Sequence, residues 1–503
     1  MKYQHSHPIN IFEHTSRFLI LLLFPLLRAV GSIFLSGGSL YAWLQGAWFD
    51  ILTILLIVGL GFIAWFKYVF YTAEDGIYIK KGILLVKYRF ISYRKLTVLS
   101  IEKPWYLIPF RAVRLRADTD GGIPTTPDFS ITIRKRDLDP LVQKANVPFV
   151  NYAEIKRIYL PKNFYIAVLS FVASNSITGV LFMSTFISGA GKVLGEQFED
   201  MMMQQLTVLS ELLAFGIPPA AASAAFVILG GWAVSFLLNV IRHLRFSVIR
   251  QGGSLHINSG LITRREYWLA VRRINLIELH QTLLTKLFGF YSAFIHCNGY
   301  GKGKDELSVL MPAAESAELS QNLELLLPEI PICKPKIRPQ KRYLSRFLIP
   351  PLTWIGVVTA LWLISFELFP YLREIILYIG VMAEIPCFWF LFVKIASYFH
   401  TGVGVSENAY TLCYSYAYRF KTIAVPKSRI VKLQIRRSLF QVMSGCCDLV
   451  FYTFSEGRKR HVVPNLNYEE ARKMMDAFRF YRPAPPEVKT KSSAVARFFR
   501  ALY

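Results

Sequence analysis

Residues Gly260–Gly289, GLITRREYWLAVRRINLIELHQTLLTKLFG, decide the architecture. A glycine turn leads into an alternating apolar/polar strand, which ends at a basic corner, Arg272–Arg273. Ile274, Ile277 and Leu279 follow, then a Thr282–Leu283–Leu284 step that closes on Leu287–Phe288–Gly289. The pattern recurs without gaps from Gly82 to Arg111, where Arg94–Lys95 fall on Arg272–Arg273 and Phe110 falls on Phe288. It recurs again from Val425 to Gly445, where Arg429–Ile430 match Arg273–Ile274 and Ser438–Leu439 match Thr282–Leu283. A pattern that returns three times is one structural unit used three times. Its recurring apolar positions, Ile274, Ile277, Leu279, Leu287 and Phe288, are expected in a core.

Working outward, each copy follows a pair of apolar runs. These are residues 18–34 and 51–70, then 164–188 and 219–241, then 347–368 and 375–399. About 20 apolar residues at ~1.5 Å each cross a hydrocarbon core of ~30 Å. Six spans in three hairpins are expected, with Tyr41–Asp50 read as the first external loop. Each polar segment alternates like strands and ends in a stretch of helical period, at Asp137–Ala145, Ala313–Leu327 and Asn467–Phe480. The predicted fold class is an α+β multi-pass membrane protein. Each hairpin is followed by a small β-sandwich or half-barrel with a C-terminal capping helix.

The expected order is a first hairpin at 1–71 and a first β domain at 72–160. A second hairpin with a long loop takes 161–243, and a second β domain 244–328. A basic Pro-containing linker at 329–346 leads to a third hairpin at 347–399 and a third β domain at 400–482. A basic amphipathic tail at 483–503 completes the chain.

Composition agrees. Hydrophobic residues make up 53% and the formal net charge is +25, with a mean hydropathy of +0.36. The basic residues sit almost wholly in the β segments, while the loops after the first, third and fifth runs carry few. The positive-inside bias therefore places both termini and all three β domains in the cytoplasm. Topology thus accounts for the charge, and nucleic-acid binding is not needed to explain it. The linker Lys334–Arg346 is expected to attract anionic headgroups.

Chemistry is sparse. The sequence holds no HExxH or GxSxG motif, and Ser188–Gly195 (SGAGKVLG) has Val193 where a phosphate loop needs Ser or Thr. Gly299–Lys304 (GYGKGK) reads as a lysine-bearing turn suited to a headgroup. The six cysteines form no paired framework and are read as reduced, with Cys446–Cys447 packed. The nine histidines have no shared metal spacing, and no cofactor or metal is expected. An enzyme is not expected either. Two groups of candidate site residues remain. Arg94, Lys95, Arg272, Arg273, Arg429, Arg436 and Arg437 are candidates for anionic lipid or an acidic partner. Arg28 and Glu384 are charges placed inside predicted spans, where burial is costly without a partner, and their pairing is one expectation.

The segment after each hairpin resembles the bacterial pleckstrin-homology domain of the membrane type, formerly a domain of unknown function. The residues that carry the likeness are a glycine turn, a basic strand, an I-P-x-x-R/K-I corner and a Q-S/T-x-L-x-x-x-x-G run. The third copy supplies Val425, Pro426, Arg429, Ile430, Ser438, Leu439 and Gly445. The second supplies Gly260, Arg273, Ile274, Gln281, Thr282, Leu283 and Gly289. The first has Gly82, Lys95 and Leu96 but ends in Arg111 instead of glycine, so a different closing turn is expected. Tyr416 stands at the third copy's glycine turn. Three hairpin-plus-domain units are similar to the YdbT-type membrane proteins. The resemblance implies a fold and a place in the membrane, and carries no reaction. The function expected from it is a membrane scaffold binding inner-leaflet lipid or a membrane-protein partner, with homo-oligomers allowed. The alternative is a transporter or lipid-translocating protein using the six-span bundle.

Overall fold

The computed structural model describes residues 4–13, 15, 40–82, 85–119, 127–138, 157–174, 200–201, 204–205, 208, 219–300, 308–454 and 458–479. They fall into two compact units. The first takes the described residues up to Pro331 with Tyr416–Ile423 and Arg458, and the second takes the rest.

In the first unit, the first repeat is built from short alternating strands broken at glycines and polar turns. Strands β2 (Val69–Thr72), β3 (Gly76–Lys81) and β4 (Lys87–Ser92) form an antiparallel meander, with β1 (Gln4–His5) added beside β2. A 3-10 turn, Tyr93–Lys95, carries the chain to β5 (Leu96–Lys103), β6 (Ala112–Thr119) and β7 (Phe129–Arg134). The inward residues of the two sheets, among them Phe70, Ile77, Ile91, Leu99, Ile101, Leu115 and Ile131, form one buried cluster. That is the half-barrel expected from the alternation.

The second repeat follows the same plan. Strand β8 (Arg157–Tyr159) flanks a meander of β9 (Ser247–Gln251), β10 (Ser254–Ser259) and β11 (Arg264–Ala270). The 3-10 corner Val271–Arg273 leads to β12 (Leu276–Thr282), β13 (Phe290–His296) and β14 (Val309–Glu315). Helix α5 (Ser316–Leu326) closes it, burying Leu319, Leu323 and Leu326. The expected helix at 313–327 begins later because Ala313–Glu315 still belong to β14. The two repeats share one sheet, in the order β7-β6-β5-β11-β10-β9-β8. Its joint is an antiparallel pairing of β5 with β11, from Arg264 opposite Lys103 to Leu269 opposite Val98.

Helices of the same unit include α1 (Leu40–Phe66), α2 (Asn163–Ala173) and α3 (Pro219–His243). Tyr41–Asp50 was expected as a loop, but α1 starts at Leu40. Ala42, Leu44, Gln45 and Ala47 favour the helix, and Gly46 alone does not break it. Val69 and Phe70, expected in the second span, are instead the start of β2. Residues 18–34, most of 174–188, the long loop of 189–216 apart from its few described positions, and the helical stretch beyond Leu138 lie outside the described residues. So do Arg28, Ser188–Gly195, Gly301–Lys304 and the tail.

In the second unit, α6 (Leu344–Leu368) and α7 (Arg373–His400) form the third hairpin. Both are long and apolar enough to cross a bilayer. Trp362 packs over Gly380, where an added Cβ would meet its indole at 2.3 Å. The third repeat has β15 (Gly402–Val405), β16 (Ala409–Tyr416), β17 (Arg419–Pro426), β18 (Ile430–Arg436), β19 (Cys446–Phe454) and β20 (Arg458–Asn467), capped by α9 (Tyr468–Arg479). The linker is anchored as well as basic. Ile337 bridges to Val403, the Cys333 amide donates to Thr411 Oγ1 at 3.0 Å, and Tyr343 is fully buried.

Candidate lipid-facing surface

Each repeat has two tips, and both are apolar on the outside. The first is the turn after the strand that follows the basic corner. In the second repeat it is α4 (Leu283–Leu287), started by a Thr282–Thr285 capping box. In the third it is α8 (Leu439–Ser444), started by a Ser438–Gln441 capping box. Each box satisfies orphan amides at a helix start, which is why the Q-S/T-x-L run folds as it does. The turns close in the left-handed region, at Gly289 (φ 72°) and Gly445 (φ 68°). The first repeat makes a 3-10 turn, Trp105–Leu107, and closes at Arg111 with φ 50°. Its closing backbone therefore matches the other two, against the expectation raised by the missing glycine.

The side chains on these turns point to solvent. Leu287 is 79% exposed and Phe288 67%, so the expectation of core for these two is overturned. Ile274, Ile277 and Leu279 are buried as expected. A one-turn helix outside the sheet has only one face to give the core. In the third repeat, Leu439 is 84% and Met443 86% exposed, with Phe440 and Val442 beside them. Trp105, Ile108 and Phe110 are their counterparts in the first repeat.

The second tip is the hairpin between the second and third strands. It exposes Leu85 and Val86, then Leu261 and Ile262, then Tyr416 and Tyr418. The turn uses Gly82 (φ 132°) and Gly260 (φ 97°), while the third copy places Ala417 at φ 52° instead.

Both tips lie at helix ends. For the turns, Glu13, in helical residues 10–13 ahead of the first apolar run, accepts from Arg114 Nη2 at 2.6 Å and from the Tyr106 hydroxyl at 3.5 Å. Phe164 and Tyr165 of α2 pack on Phe290, each with centroids 6.0 Å apart. Arg346, near the start of α6, donates to the Phe440 carbonyl and to Ser444 Oγ (2.6 Å). Tyr343 donates to the Gly445 carbonyl at 3.1 Å. For the hairpins, Gly82 and Lys81 line a ≈ 170 Å³ cavity with Trp65 and Tyr68 at the end of α1. The Gly260 amide donates to the Leu244 carbonyl at 2.9 Å. Ser415, leading into the third hairpin, bonds Ser397 of α7 at 2.5 Å.

The basic corners occupy the other end of the same strands. Arg94 and Lys95 are exposed in their 3-10 turn and Arg272 in the next, whereas Arg273 beside it and Arg429 in the third, Lys427–Arg429, are half-buried. Strand β5 has 8 residues, so at ~3.3 Å per residue about 26 Å separates corner from turn. The corners of the first two repeats meet, with Arg273 Nη2 donating to the Arg94 carbonyl at 3.3 Å. Arg436 is exposed on β18. Arg437 is engaged in holding α8, donating to the Cys446 and Val442 carbonyls with its guanidinium 4.1 Å over Tyr468. In the third hairpin, Glu384 accepts from Thr359 Oγ1 at 2.6 Å.

One cluster escaped the sequence reading. Glu278 of β12, with a side chain only 6% exposed, meets His280 at 2.8 Å, His296 at 2.6 Å and Lys421 at 2.7 Å. Burial pushes its carboxyl up, but hydrogen bonds and charge from both histidines hold it well below the usual carboxylate range. With Leu169, Val172 and Ala173 of α2, Glu278, His280 and His296 line a cavity of ≈ 240 Å³. Strand alternation puts Glu278 and His280 on one face. The third member depends on the β12–β13 register, which sets Leu276 opposite His296. Among the described residues no group of His, Cys, Asp or Glu has metal-holding geometry.

Three half-barrels, each following apolar helices, lead to one family. The bacterial PH domain model matches residues 18–160, 206–325 and 350–479, more than half of the chain. The chain belongs to the bacterial PH domain family. It is also 22% identical over 384 residues to the UPF0699 transmembrane protein YdbT of Bacillus subtilis (strain 168), covering 71% of this chain and 72% of that protein. No solved structure matches. The protein is thus a membrane protein carrying three bacterial PH domains.

Proposed function

We propose that the protein is a non-enzymatic membrane scaffold whose three PH domains lie on the inner leaflet and present their basic corners to the cytoplasm. The observation that carries this is the threefold repetition of two exposed apolar tips, each tied to the end of an apolar helix. A soluble domain rarely exposes a contiguous apolar patch without a use for it, and here the patches recur where lipid begins. Lys81, Lys286, Arg264, Arg346 and Arg419 flank the tips, a charge that suits anionic headgroups. The six spans, the inner bacterial membrane and the cytoplasmic termini are part of the same reading, supported by the basic residue bias. Because corners and tips sit at opposite ends of a strand, the corners Arg94, Lys95, Arg272, Arg273 and Arg429 are assigned to an acidic protein partner. Lipid falls to the tips.

The test is photocrosslinking in native membranes with benzoyl-phenylalanine at Phe288 or Phe440, and at Lys95 as the corner control. Phospholipid adducts at the first two positions and none at Lys95 are expected. Equal lipid labelling at all three, or none at the tips, refutes the proposal.

A further inference from the structure

The inner joints of the repeats define two kinds of strand edge. At the first joint, β11, the third strand of one repeat, pairs with β5, the fourth strand of the repeat before it. Within the same unit, Arg419–Ile423 of β17, again a third strand, lies beside β12, again a fourth. Each joint carries an ion pair, Lys103–Glu266 in the first and Glu278–Lys421 in the second. At the ends of the series the same edges recur without a neighbour. Strand β4 is the third strand of the first repeat and β18 the fourth strand of the last, and each stands at the edge of its sheet among the described residues.

Their exposure is that of a joint left open. β5 and β12 are buried almost throughout, whereas β18 exposes Val431, Lys432 and Arg436. On β4, Tyr88 and Phe90 are exposed. Phe90 holds the repeat position of Trp268, which packs against the core of the preceding repeat. The Tyr78–Phe90 ring pair, 4.5 Å between centroids, takes the place of His256–Trp268 at 4.6 Å. The plug is present, and among the described residues its socket is not.

We propose that a second copy of this chain supplies it, with β4 of one copy pairing antiparallel to β18 of the next in a head-to-tail, heterologous contact. Carrying over the β5–β11 register gives the partners directly. Phe90 stands opposite Leu433 as Trp268 does opposite Leu99, and Tyr88 opposite Ile435 as Glu266 does opposite Ile101. Arg89 stands opposite Gln434 and Ile91 opposite Lys432, as Tyr267 and Leu269 do opposite Ser100 and Val98. The departure is Lys87 opposite Arg436, where the inner joint sets Arg265 opposite Glu102. Like charges directly opposite weaken a sheet pair, so the outer joint is weaker than the inner ones and tightens with salt. Lysine and arginine on an exposed edge also restrain indiscriminate pairing.

The test uses full-length chains co-expressed with different tags, one carrying Arg89→Cys and the other Gln434→Cys. Directly opposed antiparallel residues fall within disulfide reach. Mild oxidation in membranes is expected to give a heterodimer bearing both tags, absent when Lys95→Cys replaces Arg89→Cys. Adding Arg436→Glu restores the acid–base pair and is expected to raise the yield about fivefold, or ~1 kcal/mol. Adding Tyr88→Lys with Phe90→Lys abolishes it. The proposal is overturned if no heterodimer exceeds the Lys95→Cys control even with Arg436→Glu. It is equally overturned if the cysteines join only within one chain carrying both, or only to a different polypeptide, as an acidic foreign strand on this basic edge would produce.

Discussion

Glu278→Gln removes one charge from a buried cluster and leaves its shape. The carboxylate is almost fully buried, is hydrogen-bonded to His296 at 2.6 Å and lies within 2.8 Å of His280 and Lys421. Breaking a buried pair costs ~3–5 kcal/mol when the remaining charge has no escape. Here Lys421 keeps 23% side-chain exposure and can reach water, so about 2–3 kcal/mol is expected. At ~1.4 kcal/mol per decade, opening of β12 against Arg419–Ile423 rises roughly 30- to 140-fold. Hydrogen exchange of the full chain, read on peptides covering 276–282 and 419–423, measures it directly, with 98–103 as the unaffected reference. Lys421→Met should cost less than Glu278→Gln, and the double variant less than the sum. The pH sign follows from the depressed carboxyl. Its folded-state pKa lies below the ordinary 4.5, so its stabilisation is complete above that value and is lost as pH falls further. Exchange in Glu278→Gln within twofold of the parent, with the same acid response, would refute this reasoning.

Other outcomes follow from the same geometry. Gly445→Ala, at φ 68° with only ordinary contacts around an added Cβ, should destabilise the third domain by ~1–2 kcal/mol from left-handed strain alone. Arg111→Gly relieves the equivalent strain and should be neutral or slightly stabilising in thermal unfolding. Burial pushes the Cys447 thiol up to about 12 and raises Cys446 as well. Both should therefore resist maleimide at pH 8 in the folded chain and react when the third domain is unfolded, as mass spectrometry of tryptic peptides would show.

Much of this was legible in the residues. The repeat period located three half-barrels, the alternation located their strands, and Arg94–Lys95, Arg272–Arg273 and Arg429 were placed at corners. The apolar runs at 347–368 and 375–399 became α6 and α7 with little adjustment. Direction was not legible. Leu287 and Phe288 are apolar in sequence whether they are buried or exposed, and only a one-turn helix standing off the sheet distinguishes the two. Pairing between repeats was hidden for a similar reason, since β11 and β4 share one pattern while, among the described residues, only β11 is paired along both edges. The Glu278 cluster needed the register of two strands and a lysine more than a hundred residues away. The glycine rule also misled at Arg111, because local context holds a non-glycine residue in the left-handed region.

The central claim is that the apolar tips enter the inner leaflet while the corners stand in the cytoplasm. Spin labels at Met443, Leu287 and Ile108, and at Lys95 and Ser428 of the corners, placed in the full chain in lipid bilayers, test it most directly. The account predicts that oxygen relaxes the first three and that a water-soluble nickel reagent relaxes the other two. Nickel access to Met443, Leu287 and Ile108 equal to that at Lys95 would contradict it.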